Sequence, residues 1–366
     1  MLNVNFDIPL DFLSSSTPPL VGVDISSSSV KMVELSMTPK KTGYTVERYA
    51  IELLPKGAVS DGNINNLEAV SESMQRAWRR LGTRIKNISM ALPAATVITK
   101  KILLPAGMRD EDLEYQVESE ANQYIPFALD EVNLDFQVLG PVKGNADEVE
   151  VMLAASRKAN VEDRVAAAQA SGLRTLVMDV EPFAAEAAFE QISVHLPEGA
   201  VDKCVALVDI GSVVMNVNVM RNGQSIYSRD QQIGGDQLTQ QIQSLFGLSF
   251  EEAEAGKRNG GLPDNYENDV LEPFRENIVA EITRALQFFY ASSQYNEVAY
   301  IVLAGGGASL PRLDDAVATR TQVSTMVANP FASMTLSSRI KPKQLQMDAP
   351  ALIIACGLAM RRFDPS

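Results

Sequence analysis

The chain has 366 residues, of which 46% are hydrophobic and 21% charged, with 22 glycines and 18 prolines. This ordinary globular composition excludes wholesale disorder, a collagen-like chain and a disulfide-dense scaffold. The 32 basic and 46 acidic residues give a net charge of −14. A negative field repels phosphate backbones, so we expect no nucleic-acid partner.

The length predicts two domains. The longest apolar runs, such as 349–360, are too short for a membrane-spanning helix, which needs ~20 residues. The N-terminal sequence lacks the basic flank and apolar run of a signal peptide, so we expect a cytoplasmic protein. A single histidine and two scattered cysteines argue against a soft-metal site and against a Ser–His triad. Both cysteines lie in apolar runs, which predicts buried thiols.

Apolar periodicity predicts alternating strands and helices, which is typical of an α/β protein. In chain order, we expect an N-terminal arm (1–19), strands over 20–35, a helix over 67–81 ending at Gly82, strands over 88–104, an acidic helix over 109–125, strands over 136–139 and 149–155, an Ala-rich helix over 161–171, a strand over 176–180 and a helix over 183–191.

The second half of the chain begins like the first. Leu20-Val-Gly-Val-Asp24-Ile is similar to Val205-Ala-Leu-Val-Asp209-Ile, and the two aspartates lie 185 residues apart. A strand, an aspartate and a tight turn repeated at half the chain length indicate duplication. We expect two such hairpins to face each other across a cleft.

Each hairpin turn consists of residues with little bulk, Ser26–Ser29 in one and Gly211-Ser212 in the other. Such turns can bind a phosphate through backbone N–H groups. An uncompensated aspartate at the end of an apolar strand is costly, and a hydrated Mg²⁺ on nucleotide phosphates would compensate both aspartates. Lys31 can reach a phosphate. The alternatives are ordinary turns and a solvated strand lysine.

Seven motifs, in order along residues 20–361, resemble those of the actin-like ATPases. They are DISSSSVK (24–31) for the first phosphate loop, VEPFAAEAAFE (180–190) for a strand-to-helix turn, DIGSVVMNVNVMRNG (209–223) for the second phosphate loop, IGGDQLT (233–239) for the turn after it, FEEAEAGKR (250–258) for the adenosine helix, VLAGGGASLPRL (302–313) for the adenine loop and ALIIACGLAMR (351–361) for the closing helix. A Walker A loop is absent, because Glu251 stands where its first glycine would be.

This resemblance implies a duplicated, two-lobe α/β fold of ribonuclease H-like lobes, with ATP and Mg²⁺ as cofactors. It implies Asp24 and Asp209 as metal ligands. The nucleotide contacts that it implies are Ser26, Ser27, Ser28, Lys31, Gly211, Ser212, Gly234, Gly235, Asp236, Glu254, Lys257, Gly305, Gly306 and Gly307. The helix after Gly235 is expected to offer its N-terminus to anionic groups.

Glu181 precedes Pro182, which suits a first helical turn. In the actin-like reading, a carboxylate here orients the water that attacks the γ-phosphate, and the activity implied is at most a slow ATPase. The alternative role is that of an acidic residue stabilised by the helix dipole.

Residues 87–105 and 123–136 closely resemble the PilM family of the type IV pilus machine. The resemblance implies an ATP-binding scaffold that binds the cytoplasmic N-terminal tail of the membrane protein PilN and contacts other proteins of the pilus alignment complex. Membrane association would then be indirect, at the inner membrane, and self-association stays open. Phe127, Leu129, Phe136 and the strand 102–104 are candidate groove linings, with core packing as the alternative.

Two other functions compete with the scaffold. A sugar-type kinase of the same fold would need a substrate base, for which only Asp179 and Glu181 are candidates. A chaperone-type ATPase would need a peptide-binding domain after the ATPase core, and the sequence ends at Ser366.

The motifs also predict domain boundaries. These are an arm (1–19), a first lobe (20–95 and 172–200), an inserted small α/β subdomain that binds the partner (96–171), a second-lobe core (201–245 and 293–340), a helical subdomain (246–292) and a closing helix that returns to the first lobe (341–366).

Overall fold

The structure is a computed structural model that describes residues 18–38, 40, 43–142 and 144–364. Most of the predicted arm, residues 1–17, lies outside the described residues. The described residues form two compact units. The first unit contains the described residues up to Ser36, those from Val46 to Ala185 and those from Ile354 onward. The second unit contains the described residues from Met37 to Thr45 and from Glu186 to Ile353.

The first half of the chain supplies ten strands and four helices among the described residues. They are β1 Val21–Ile25, β2 Ser29–Met37, β3 Tyr44–Leu53, β4 Val59–Ser60, β5 Asn63–Ile64, α1 Leu67–Leu81, β6 Asn87–Leu92, β7 Val97–Pro105, α2 Asp110–Ala121, β8 Val132–Val142, β9 Asn145–Arg157, α3 Lys158–Ala170, β10 Arg174–Val180 and α4 Glu181–Ser193.

The second half begins with the same strand pattern. Its elements are β11 Cys204–Ile210, β12 Met215–Arg221, β13 Gln224–Gln231, α5 Gly235–Phe246, α6 Phe250–Asn259, α7 Glu272–Ser292, β14 Tyr300–Ala304, α8 Leu313–Thr321, β15 Ser324–Val327, β16 Thr335–Leu336, α9 Pro342–Asp348 and α10 Ile353–Met360.

The two main sheets have the same topology. The order β10-β6-β1-β2-β3 runs through one and β15-β14-β11-β12-β13 through the other. In the first sheet, β1 pairs antiparallel with β2 and parallel with β6. In the second, β11 pairs antiparallel with β12 and parallel with β14. The duplication predicted from the repeated Asp-Ile pair is therefore confirmed.

Burial explains why the sequences of the repeated strands are runs of mainly apolar residues. β1 lies between β2 and β6, and all five of its residues are buried. A strand covered on both faces is hydrophobic throughout instead of alternating. The helix α1 has a stripe of buried Val70, Met74, Ala77 and Leu81 toward the core of this unit, and it ends at the left-handed Gly82.

The inserted part of the first unit has its own small core. Its antiparallel sheet has the order β7-β9-β8, and the apolar side of α2 contributes Val117 and Ala121 to that core. Phe127, Leu129 and Phe136 are partly buried against it, as the core-packing alternative expects. The helix α3 instead packs with α1 in the main core of the unit, so the part with a separate core ends at β9.

The closing helix α10 packs on the first unit. A Cβ built at Gly22 of β1 would overlap backbone atoms of Ala355 and Ala359, so only glycine permits this close approach. The two cysteines, Cys204 and Cys356, are both free and buried, and burial raises the pKa of each thiol. The prediction of buried thiols is confirmed.

Candidate functional site

The first hairpin brings together three of the predicted site residues. Asp24 is buried, and its Oδ2 accepts from Lys31 Nζ at 2.8 Å. The same ammonium donates to Ser26 Oγ at 3.2 Å. Lys31 therefore neutralises the carboxylate, and this contact was not among the roles expected for the lysine.

The turn of the first hairpin is closed by its own backbone. The Ser26 N–H donates to the Ser29 carbonyl at 3.0 Å. The Ser28 carbonyl accepts from the Leu54 N–H at 2.9 Å, and Ser27 is half-buried beside it. The turn is thus anchored to the residue that follows β3 by a hydrogen bond between two backbone groups.

The second hairpin has the same closure, with Gly211 N–H donating to the Val214 carbonyl at 3.0 Å. Its turn also docks on the start of α5. Gly235 N–H donates to the Gly211 carbonyl at 3.0 Å, and Asp236 N–H donates to the Ser212 carbonyl at 2.8 Å. These two helix N–H groups thus stabilise the loop, whereas the sequence analysis expected them to face an anion.

Gly234 permits this docking. A Cβ built there would lie 2.5 Å from the Ser212 carbonyl oxygen and 2.8 Å from that of Gly211. Any side chain at this position would separate the loop from the helix, which gives the first glycine of IGGDQLT a packing role.

The motif on α6 joins the same cluster. Lys257 Nζ donates to the Gly235 carbonyl at 3.2 Å and to Thr239 Oγ1 at 2.7 Å, and it forms an ion pair with Glu254. Thr239 also donates to Glu254. Burial raises the pKa of the Glu254 carboxyl, but hydrogen bonds and charge from Lys257, with Thr239 and Arg258, outweigh it and leave the pKa lowered. The ammonium is therefore fixed beside the start of α5.

The glycine-rich loop after β14 meets the end of β11. A Cβ at Gly305 would overlap Asp209 Oδ1 and the Ile210 carbonyl, and a Cβ at Gly307 would overlap the Ile210 side chain. Gly305 also has φ of +78°, which an L-residue rarely adopts. Gly306 differs, because a Cβ there would meet no atom within 4 Å. Two of the three glycines therefore serve packing, and one faces open space.

Glu181 begins α4, directly after β10. The preceding acid, Asp179, is buried and bonded to Arg361 Nε at 2.5 Å and to the Val180 N–H at 2.7 Å. Asp179 is thus held in a structural ion pair, which removes one of the two acids that the kinase alternative would use as a base.

Arg164 on α3 was not among the residues predicted from the sequence. Its side chain is 2% exposed, Nη2 donates to the Gly62 carbonyl at 2.9 Å, and Nη1 has no hydrogen-bond partner. Burial lowers the pKa of the guanidinium, and the carboxylates of Glu181 and Asp24 act against that shift. The sequence does contain a signal for this residue, because the charged Arg164 interrupts the apolar stripe of α3.

Within the described residues, no group of three or more His, Cys, Asp or Glu side chains is placed to hold a metal ion. No helix within the described part of the chain has the length and apolarity needed to cross a membrane.

The fold and the two matching hairpins define a duplicated, actin-like α/β protein. The family model described as type IV pilus assembly protein PilM matches residues 22–363. The chain belongs to this family.

Two solved structures and one curated protein show how far the similarity extends. A PilM-PilN type IV pilus biogenesis complex has a TM-score of 0.78 at 28% identity, covering 95% of this chain and 100% of that chain. The ethanolamine utilization protein EutJ from Carboxydothermus hydrogenoformans shares the fold, with a TM-score of 0.53 at 15% identity over 94% of this chain and 89% of that one. Cell division protein FtsA of Enterococcus hirae is 25% identical over 343 residues, 82% of this chain and 76% of the relative.

Proposed function

We propose that this protein is a cytoplasmic, ATP-binding scaffold of the type IV pilus assembly machine that binds the N-terminal tail of a PilN-like inner-membrane protein. The observation that carries the proposal is the similarity, along nearly the whole chain, to the structure of a PilM-PilN complex. Association with the inner membrane is then indirect, through this partner and other proteins of the pilus complex.

The nucleotide half of the proposal rests on the cluster in the second unit. The Gly211-Ser212 turn and Lys257 both form hydrogen bonds with the start of α5, at Gly235. Gly305 packs against Asp209, just before that turn. The open space at Gly306 fits a flat base, and the fixed ammonium of Lys257 fits a polar group of the nucleotide. The small residues of both hairpin turns fit phosphate oxygens.

Asp24 and Asp209 are the candidate Mg²⁺ ligands, one on each hairpin. Both end buried strands, and Mg²⁺ is commonly held by one or two carboxylates together with waters and phosphates. When bound, the metal would neutralise phosphate charge. Glu181, at the first turn of α4, is the candidate for orienting a water molecule, which would give at most a slow ATPase.

A thermal-shift titration tests the nucleotide half. A ligand that binds only the folded state raises the stability with its concentration. Asp209→Asn should remove most of the shift produced by Mg-ATP, whereas Asp230→Asn, on the exposed strand β13, should keep it. An equal shift in both variants would refute the assignment of Asp209.

The partner half of the proposal rests on the surface of the inserted sheet. Its outer strands, β7 and β8, are edge strands, and such edges can pair with an extended peptide. Large apolar side chains are exposed along this insert, including Leu103 at 53% and Tyr115 at 75%. Most acidic residues of α2 are exposed as well, namely Asp110, Glu111, Asp112, Glu114 and Glu118. A peptide with basic and apolar residues would be complementary.

A deletion tests the partner half. Val97 and Ser156 are cross-strand partners in the β7–β9 pair, so a short Gly/Ser linker can replace residues 97–157 and leave α3 packed in the main core. The shortened protein should bind ATP but not a synthetic PilN-like tail in a fluorescence-anisotropy titration.

Point variants give a test without deletion. Leu103→Asp should weaken tail binding, whereas Ile226→Asp, at a comparably exposed site on β13, should not. Tail binding that survives both the deletion and Leu103→Asp would place the partner site elsewhere.

A further inference from the structure

The duplication places different residues opposite the two aspartates. In the β1–β2 pair, Asp24 is the cross-strand partner of Lys31, and in the β11–β12 pair, Asp209 is the partner of Asn216. The two hairpins otherwise match in register and in the hydrogen bond that closes the turn. One aspartate therefore has a built-in cation opposite it, and the other has an amide.

The cation on the first hairpin is closely engaged. Lys31 Nζ lies 2.8 Å from Asp24 Oδ2, and the two side chains are only 13% and 6% exposed. A second bond to Ser26 Oγ holds the ammonium in place. Asn216 instead donates to Ser228 Oγ at 2.9 Å and Asp230 Oδ1 at 2.7 Å on β13.

We propose that Lys31 is an internal counter-cation that competes with a divalent metal ion for Asp24. This inference rests on the proposed role of Asp24 as a metal ligand. A metal ion bound to the Asp24 carboxylate would lie close to the ammonium that is already at Oδ2, and the two positive charges repel each other. The metal binds the first hairpin only when Lys31 leaves Asp24.

The same geometry gives Lys31 a reason to leave. A lysine ammonium binds phosphate oxygens as a point charge, so a phosphate at the Ser26–Ser29 turn offers it a second partner. Phosphate binding would then free Asp24 for the metal. Metal binding at the first hairpin follows from phosphate binding and does not precede it.

Manganese titration of the full, nucleotide-free chain, followed by electron paramagnetic resonance of free Mn²⁺, tests the proposal. Removing one positive charge at contact distance should tighten Mn²⁺ binding in Lys31→Met by roughly tenfold or more. Lys31→Arg, which keeps the charge, should bind like the wild type. Adding Asp24→Asn to Lys31→Met should abolish the gain.

If circular dichroism shows that Lys31→Met is unfolded, Lys31→Gln takes its place, because it retains a hydrogen-bond donor for Asp24. The proposal is overturned if the folded Lys31 variant does not bind Mn²⁺ more tightly than the wild type. It is also overturned if the tighter binding persists after Asp24→Asn is added. Because no nucleotide is present, these outcomes are independent of the Mg-ATP test on Asp209→Asn, which reports on the proposed function.

Discussion

Arg361 and Asp179 form a buried ion pair between residues 182 positions apart in the chain. The pair joins the segment after α10 to the end of β10, two residues before Glu181. Burial lowers the pKa of the Arg361 guanidinium, but the carboxylates of Asp179 and Asp364 outweigh it and raise the pKa. The closing segment is thus tied electrostatically to the strand that positions Glu181.

Removing either partner of this pair should be destabilising, but not equally. Arg361→Met leaves the buried Asp179 carboxylate without its counter-charge, and we expect a loss of about 3 kcal/mol in the free energy of unfolding. Asp179→Asn should cost less, because Arg361 keeps its ion pair with Asp364. Urea denaturation measures this loss. The double variant should cost less than the sum of the two single changes. As a control, Arg284→Met breaks an exposed pair with Glu281 and should cost under about 1 kcal/mol. Equal losses at both sites would contradict the assigned role.

Gly305 and Gly306 should respond differently to alanine. Gly305→Ala places a Cβ against Asp209 and Ile210 on a backbone with positive φ, so we expect a loss of about 2 kcal/mol in stability. Gly306→Ala enters open space and should fold like the wild type. Thermal unfolding of the two variants checks the contrast, and a stable Gly305→Ala would show that the loop relaxes.

The stability contributed by Glu254 should depend on pH. Its carboxyl pKa in the folded state lies below the ordinary value of 4.5. A carboxyl with a lowered folded-state pKa stabilises the protein above its unfolded-state pKa, and this contribution is lost as the pH falls through the folded-state pKa. The difference in unfolding free energy between wild type and Glu254→Gln should therefore be largest near neutral pH and shrink toward strong acid. Glu251→Gln, on the same helix but exposed, controls for the loss of one charge. A difference that is constant between pH 7 and pH 3 would rule out the coupling to Lys257.

Glu181→Gln should bind ATP with nearly wild-type affinity and lose ATP hydrolysis. A group that orients the attacking water acts in the transition state and contributes little to ground-state binding. Single-turnover hydrolysis, with binding measured separately, distinguishes the two effects. Glu190→Gln, exposed on the same helix, should hydrolyse ATP like the wild type. If the two variants turn over ATP equally, Glu181 has no part in hydrolysis.

The repeated hairpins, the α/β class and the order of the motifs follow from the amino-acid sequence alone. These features depend on local pattern. A buried strand such as β1 is apolar except at Asp24, a helix such as α1 must repeat its apolar residues every three to four positions, and a tight turn needs small residues. Such constraints act within a few neighbouring residues, so they can be read before the chain is folded.

Tertiary packing, by contrast, sets which charges meet and why particular glycines are required. The carboxylates of Glu181 and Asp24 act on the Arg164 guanidinium, and Arg361 pairs with Asp179, because segments distant in sequence pack together. The glycine loop at Gly305 illustrates the same limit, because its tight packing against Asp209 depends on the pairing of β11 with β14. Ion pairs and close approaches of this kind depend on where the strands and helices pack, and the local sequence pattern does not predict that packing.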